Sequence, residues 1–254
     1  GDVGRRRAVV AEDAAVGGCQ GAVNVPAPQA ATVGSAAASD RADRIRESYA
    51  RWARVYDWFA RATASVGGVR RGCVDALDLA SGDTVVEFGC GPGVNLPALR
   101  RAVGPSGRVV GVDITGPMLR RARGRIARRG WENVSVVRGD ATQPPVSDTD
   151  GVLATFVTSL FPDADAVVDR WCDIADSVVV ANFVPRGNRA ANAALWGFTR
   201  LNARLFDAAD GDALAQLSAR TAASRDALVD RMDTVETTRH VFDTIEVNAG
   251  TRVS

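Results

Sequence analysis

Val85-Val86-Glu87-Phe88-Gly89-Cys90-Gly91-Pro92-Gly93-Val94-Asn95 is the stretch on which the fold turns. An apolar run, Thr84–Phe88, passes into three alternate glycines, and Asn95-Leu96-Pro97 then opens a segment with Leu96, Leu99 and Val103 on one helical face. A strand that runs through a glycine loop into a helix brings bare backbone and unpaired N–H groups to one point, with the positive end of a helix dipole behind them. Such a point suits an anionic portion of a ligand.

Downstream, four more apolar runs, Arg108–Val112, Val134–Arg138, Gly151–Val157 and Ser177–Val184, alternate with segments of helical periodicity. They are nearly continuous in valine, as expected for parallel strands covered on both faces, so the architecture is an open, doubly wound α/β sheet. Ligands bind such sheets beyond the carboxyl ends of the strands at the switch point. Residues 188–231 read as two helices, a cap-like addition whose first member carries Leu195, Trp196, Phe198, Leu201, Leu205 and Phe206. Thr234–Val241 and Thr244–Val247 alternate as an antiparallel hairpin at the sheet edge, with His240 a structural residue in the pairing.

Upstream, a helix face is predicted from Asp40 onward by Ile45, Tyr49, Trp52, Tyr56, Phe59 and Thr63, and a short helix over 69–80 follows. Residues 1–39 lack either periodicity and are expected to form a flexible tail, leaving 40–254 as a single domain. Arg5-Arg6-Arg7 and Cys19 faintly resemble a twin-arginine lipoprotein signal, but Glu12 and Asp13 interrupt the required apolar stretch.

The 254 residues are 46% apolar and 24% charged, with 31 basic against 30 acidic side chains, so no global field selects a partner. Every basic residue is arginine. The absence of lysine removes Walker-type phosphate loops, Schiff-base aldolases and pyridoxal phosphate chemistry. His240 is the only histidine and no Cys-x-x-Cys spacing links Cys19, Cys73, Cys90 and Cys172, so no metal site is expected. Reduced thiols and an unremarkable composition point to the cytoplasm.

The second strand ends at Val112-Asp113-Ile114, with Asp113 twenty residues beyond Gly93, where an acidic side chain can accept both hydroxyls of a ribose. After the third strand comes Gly139-Asp140-Ala141, from which a carboxylate can accept a hydrogen bond from an adenine amino group while Ile114 packs on the ring. Glycines, ribose acid and strand-end aspartate together describe an adenosine site. A nicotinamide-dependent oxidoreductase is the main rival, but Val94 stands where the Gly-x-Gly-x-x-Gly fingerprint needs glycine, and no lysine exists for short-chain dehydrogenase chemistry. A non-catalytic protein that binds the cofactor and transfers nothing is a third reading.

Over roughly residues 45–185 the chain resembles the class I S-adenosylmethionine-dependent methyltransferases, whose acidic-x-Gly-x-Gly-x-Gly motif matches Glu87 through Gly93 without a gap. Within that class it is similar to the ubiquinone/menaquinone C-methyltransferases and related phospholipid N-methyltransferases, which carry a pair like Tyr56-Asp57 in a leading helix. The resemblance implies a Rossmann-like, mostly parallel sheet of seven strands and S-adenosylmethionine as cofactor. It further implies that Gly89, Gly91 and Gly93 approach the methionine portion with Glu87 at its amino end, that Cys90 and Asn95 are also cofactor-binding, and that Tyr56 closes over the cofactor. Asp113 and Ile114 then hold the ribose and adenine side, with Asp140 and Ala141 on the adenine. After the fourth strand, Thr155–Pro162 lacks the arginine-asparagine ending of the quinone enzymes.

A sulfonium methyl is already strongly electrophilic, so alignment and exclusion of water suffice and no catalytic side chain is assigned. The acceptor is expected to be a small molecule with a substantial apolar part, quinone- or lipid-like. Arg120, Arg121, Arg123, Arg125, Arg128 and Arg129 form a solvated helix face that leaves peripheral contact with anionic headgroups open. Without interleaved stacking aromatics they do not point to nucleic acid.

Overall fold

The computed structural model of the chain describes residues 68–185, 213–241 and 243–253. Tyr56, residues 1–39, the leading helix and the first helix of the 188–231 segment lie outside the described residues.

In chain order the elements are α1 (Val69–Asp75), β1 (Thr84–Phe88), α2 (Leu96–Val103), β2 (Arg108–Asp113), α3 (Gly116–Arg129), β3 (Val134–Arg138), β4 (Thr149–Thr155), a 3-10 turn (Thr158–Leu160), α4 (Ala164–Ile174), β5 (Ala175–Phe183), α5 (Ala213–Arg231), β6 (Thr234–His240) and β7 (Ile245–Thr251). The seven strands form one sheet in the order β3-β2-β1-β4-β5-β7-β6. The first five are parallel, while β7 runs antiparallel between β5 and β6. The chain winds outward from β1 to β3 and then returns to β4 on the other side of β1, which places the switch point between β1 and β4.

Alternate residues of the central strands enter two cores. Val85, Val109, Leu153, Val179 and Val247 meet Val69 and Cys73 of α1, Leu96 and Leu99 of α2 and Leu119 of α3. Val86, Phe88, Val110, Val152 and Val178 meet Val168 and Trp171 of α4 and Leu228 of α5. Both faces being covered is why β1 is buried at every position and why the runs are apolar throughout.

Several boundaries differ from the sequence reading, β5 among them, which spans Ala175–Phe183 instead of Ser177–Val184. The fourth strand begins two residues earlier, at Thr149, and stops at Thr155 instead of Val157, because Phe156 takes φ 61 and turns the chain off the sheet. The short helix ends at Asp75 rather than near residue 80. The last strand runs on through Asn248-Ala249-Gly250 to Thr251, since a strand flanked by β5 and β6 finds ladder partners along its whole length. Of the two helices predicted over 188–231, the second is α5, and no described helix is long and apolar enough to cross a membrane. His240 closes β6 opposite Ile245, with Nε2 3.2 Å from Thr238 Oγ1.

Candidate functional site

The glycine loop leaves β1 at the switch point with Gly89, Gly91 and Gly93 all at positive φ (66°, 54° and 73°), a conformation open to glycine at little cost. Their surroundings differ. A Cβ on Gly89 would lie 2.8 Å from Val157 Cγ2, and one on Gly93 would lie 2.5 Å from Leu96 Cδ1 and 3.2 Å from Ala122 Cβ, so these glycines let the loop pack against β4 and the helices. A Cβ on Gly91 would meet no described atom within 4 Å. The crest of the loop is buried, yet no described residue fills the space on that side of it. Cys90 is buried beneath it with its sulfur against Gly111, so only its backbone borders the crevice; burial raises its thiol pKa well above the ordinary value.

Asp113, at the end of β2, anchors the loop. Its Oδ2 accepts the Gly91 N–H at 2.8 Å and its Oδ1 accepts the Thr115 N–H at 2.7 Å, fixing the carboxylate between the glycine crest and the start of α3. Burial lifts its pKa above the usual carboxylate range, and those backbone hydrogen bonds pull it back. Ile114 beside it is half-buried.

Glu87 lies under the loop and is almost fully buried. Its Oε1 accepts from Asn95 Nδ2 at 2.7 Å, whereas its buried Oε2 has no partner among the described residues. Desolvation pushes its pKa up to about 7, against the lowering effects of Asn95 and the Arg70 guanidinium. Asn95 stands at the N-cap position of α2 yet makes no side-chain cap. Its carboxamide instead reaches Thr155 Oγ1 at 3.1 Å and accepts from Arg70 Nη1 at 2.8 Å.

Asp140 is exposed just beyond β3, where one oxygen accepts from the Thr142 N–H and hydroxyl, both at 2.9 Å. The carbonyl of Ala141 accepts from the indole N–H of Trp171 at 2.9 Å, tying this corner to α4. Glu87, the three glycines, Asn95, Asp113 and Ile114 are thus gathered at the ends of β1 and β2, with Asp140 and Ala141 one strand further out, beyond β3. Sequence reasoning missed Arg70, Thr155 and Trp171. An arginine ahead of the first strand and a threonine in an apolar run carried a signal, whereas Trp171 is indistinguishable in sequence from core packing.

A methyltransferase domain model matches residues 85–176. Nocamycin O-methyltransferase of Saccharothrix syringae is 40% identical over 105 residues, covering 41% of this chain and 38% of that enzyme, so the chain spans well under half of that relative. Phosphatidylethanolamine N-methyltransferase of Cereibacter sphaeroides is 34% identical over 150 residues, covering 57% of this chain and 70% of the relative. Among solved structures, an S-adenosylmethionine-dependent methyltransferase from Aquifex aeolicus shares the fold at TM-score 0.53 and 17% identity, covering 72% of this chain and 89% of that one. Kinship at 34% identity over most of a relative, in a chain whose glycine loop sits at the switch point of the same sheet, makes this protein a member of the class I S-adenosylmethionine-dependent methyltransferases.

Proposed function

We propose that the chain transfers the methyl group of S-adenosylmethionine to a small, partly apolar organic acceptor of the quinone or lipid kind. The observation that carries this reading is a pair of aromatic rings: Phe156 and Phe183, at the carboxyl ends of β4 and β5, stack with centroids 4.4 Å apart and an interplanar angle of 22°. Both rings are only half-buried, and Val157 between them in sequence presses on Gly89 of the loop. An aromatic shelf beside the glycine loop, with the Arg70 guanidinium 5.7 Å from the Phe156 ring centroid, suits an acceptor that joins an unsaturated or aliphatic body to a polar group. Two of the relatives are named for nocamycin and for phosphatidylethanolamine, the second a lipid.

The residues present fit the cofactor. Among the described residues nothing fills the space beside Gly91, which leaves room for a ligand to touch backbone, and Glu87 Oε2, without a described partner, is a buried acceptor suited to an ammonium group. In this proposal Gly89, Gly91 and Gly93 border the methionine portion and Glu87 its amino end. Asp113 takes the ribose hydroxyls through lone pairs left over from Gly91 and Thr115, and Asp140 with Ala141 and Ile114 borders the adenine; Tyr56 retains the role the resemblance gave it. Bound S-adenosylmethionine supplies an electrophilic methyl on sulfur. The phenylalanine shelf orients the acceptor and excludes water, and proton removal is left to the acceptor's own acidity or to solvent. In this proposal a single domain over 40–254 carries the activity, and it acts in the cytoplasm.

Incubating the protein with tritium-methyl S-adenosylmethionine and fractionated cell extract tests the reading without presupposing the acceptor. Label in the organic phase supports it, and label confined to protein or RNA refutes it.

A further inference from the structure

The near balance of 31 basic and 30 acidic side chains conceals a separation in space. Helices α1, α2 and α3 cover the sheet face built on Val85, Val109 and Leu153, and together they carry ten arginines against one acid, Asp75. Helices α4 and α5 on the opposite face carry four arginines against five aspartates.

The charge is densest on α3, which has six arginines and no acid in 14 residues. Arg120, Arg123 and Arg128 are exposed on its outer side, away from Leu119, Ala122 and Ile126 at the core, and exposed Arg129 ends the helix. Among the described residues the ion pairs are Arg71–Asp75, Arg225–Asp226, Arg231–Asp173 and Arg239–Glu246, and none reaches these four arginines. Arg123 touches only the Val136 carbonyl, at 3.5 Å, and the Arg129 guanidinium lies 5.1 Å from the centroid of the half-buried Trp131 ring. Like charges three or four residues apart repel along a helix, as Arg120 with Arg123 and Arg125 with Arg129 do here. A surface that served solubility alone would intersperse the signs, as α5 does. The outer side is also smooth: Gly124 and exposed Ala127 stand between the arginines, and a Cβ on Gly124 would lie 3.3 Å from Arg128 Nη1, so that guanidinium lies back along the helix.

The breadth of the basic face selects its partner. Helix α1 packs on β5 and α3 on β2 and β3, so the three helices span five adjacent strands, roughly 20 Å at the usual strand spacing. A bilayer surface meets all of that breadth at once, and guanidinium groups grip phosphate oxygens in pairs. No ring stands among Arg120, Arg123 and Arg128 for a base to stack on.

We propose that the face formed by α1, α2 and α3 docks on a lipid bilayer carrying anionic headgroups, with Arg120, Arg123, Arg128 and Arg129 as the leading contacts. The proposal stands on charge and shape and not on which acceptor is methylated.

The test is sedimentation of the full chain with vesicles of phosphatidylcholine, alone or with about 30% phosphatidylglycerol. Wild type is expected to bind the anionic vesicles, to leave them as salt rises from about 0.05 M to about 0.5 M, and not to bind phosphatidylcholine alone. An arginine beside an anionic surface contributes about fivefold in affinity, so Arg120→Gln with Arg128→Gln should lose about twentyfold, and adding Arg123→Gln and Arg129→Gln about a hundredfold or more. Glutamine keeps the helix propensity, and Tm shows that each variant is folded; the double variant carries the reading where the quadruple one is not. Arg170→Gln with Arg225→Gln makes the same change of net charge on the opposite face and should stay within about threefold of wild type. Undiminished vesicle binding in the folded α3 variants overturns the proposal, as does an equal loss in the opposite-face pair, which would make net charge the cause. Wild type that binds neither kind of vesicle, or both equally, overturns it too. So does tighter binding to a short DNA duplex than to anionic vesicles at the same salt, which would give this face to nucleic acid.

Discussion

Asn95 donates its carboxamide to Glu87 across 2.7 Å from the N-cap position of a helix, where asparagine commonly turns back to bond the helix's own first N–H groups. Here the side chain is committed instead to a buried cluster of Glu87, Thr155 and Arg70 under the glycine loop. The helix forgoes a capping bond, and an acid is held in a dry position with one oxygen unpartnered among the described residues.

That acid gives a signed dependence on pH. Native Glu87 retains its proton until about pH 7, whereas the unfolded chain releases it near the ordinary value of 4.5. The native state then binds more protons than the unfolded state between those values, so Glu87's contribution to stability is greatest below 4.5 and declines until about pH 7. Glu87→Gln removes the decline. Thermal unfolding without cofactor should show the two proteins melting together at the acid end of this window and the variant the more stable at pH 8. A difference in Tm that is constant with pH would mean that the carboxyl is ionised throughout.

Asp113 joins two backbone N–H groups, at 2.8 Å and 2.7 Å, and stands where a ribose is expected. Asp113→Ala should weaken S-adenosylhomocysteine binding by about 1–3 kcal/mol, through lost charge-assisted hydrogen bonds and a loosened loop crest. Calorimetry on the folded variant measures the loss, and undiminished affinity would remove Asp113 from the site. Wild-type protein should give no heat with a nicotinamide dinucleotide.

Trp171 stacks on Phe88 with centroids 5.0 Å apart and donates to the carbonyl of Ala141. Trp171→Phe keeps a ring in the core and removes the bond that ties the segment after β3 to α4. The expected cost is about 1 kcal/mol in urea unfolding, with a further loss of cofactor affinity if Ala141 borders the adenine. Equal affinity in wild type and variant would place that segment outside the site.

The sheet, the glycine loop and the strand-end acids were legible because each is dictated locally: valine runs by burial on both faces, glycines by positive φ, and Asp113 by its distance from the loop. Other features depend on what lies across space. Val157 is β-branched and apolar and so extends a strand pattern on paper, yet the strained Phe156 ends β4 two residues earlier. Asn248-Ala249-Gly250 has the composition of a turn, but β5 and β6 hold it extended from either side. Gly250 there makes room for the end of α5 and the residue after it, since a Cβ on it would lie 3.2 Å from Leu228 Cδ2 and 2.8 Å from Met232 Cγ. The polar cluster around Asn95 joins residues up to 85 positions apart, beyond the reach of any local spacing rule.

Gly89 and Gly91 separate the loop's packing role from its ligand-facing role. Both sit at positive φ, so alanine at either is strained by about 1 kcal/mol. At Gly89 the new methyl also strikes Val157, with Cγ2 at 2.8 Å and Cβ at 2.9 Å, and Val157 is pinned beside the strained turn. Gly89→Ala should therefore lose about 2–4 kcal/mol of stability in urea unfolding, overpacking being added to backbone strain. At Gly91 the methyl enters open space among the described residues, so Gly91→Ala should lose only the backbone share. Its effect on S-adenosylhomocysteine affinity should be the larger one, because the methyl occupies the space a bound methionine portion needs. Calorimetry and unfolding on the same preparations compare the two losses directly. A Gly91→Ala protein that binds S-adenosylhomocysteine as tightly as wild type would show that the crest of the loop does not face the cofactor.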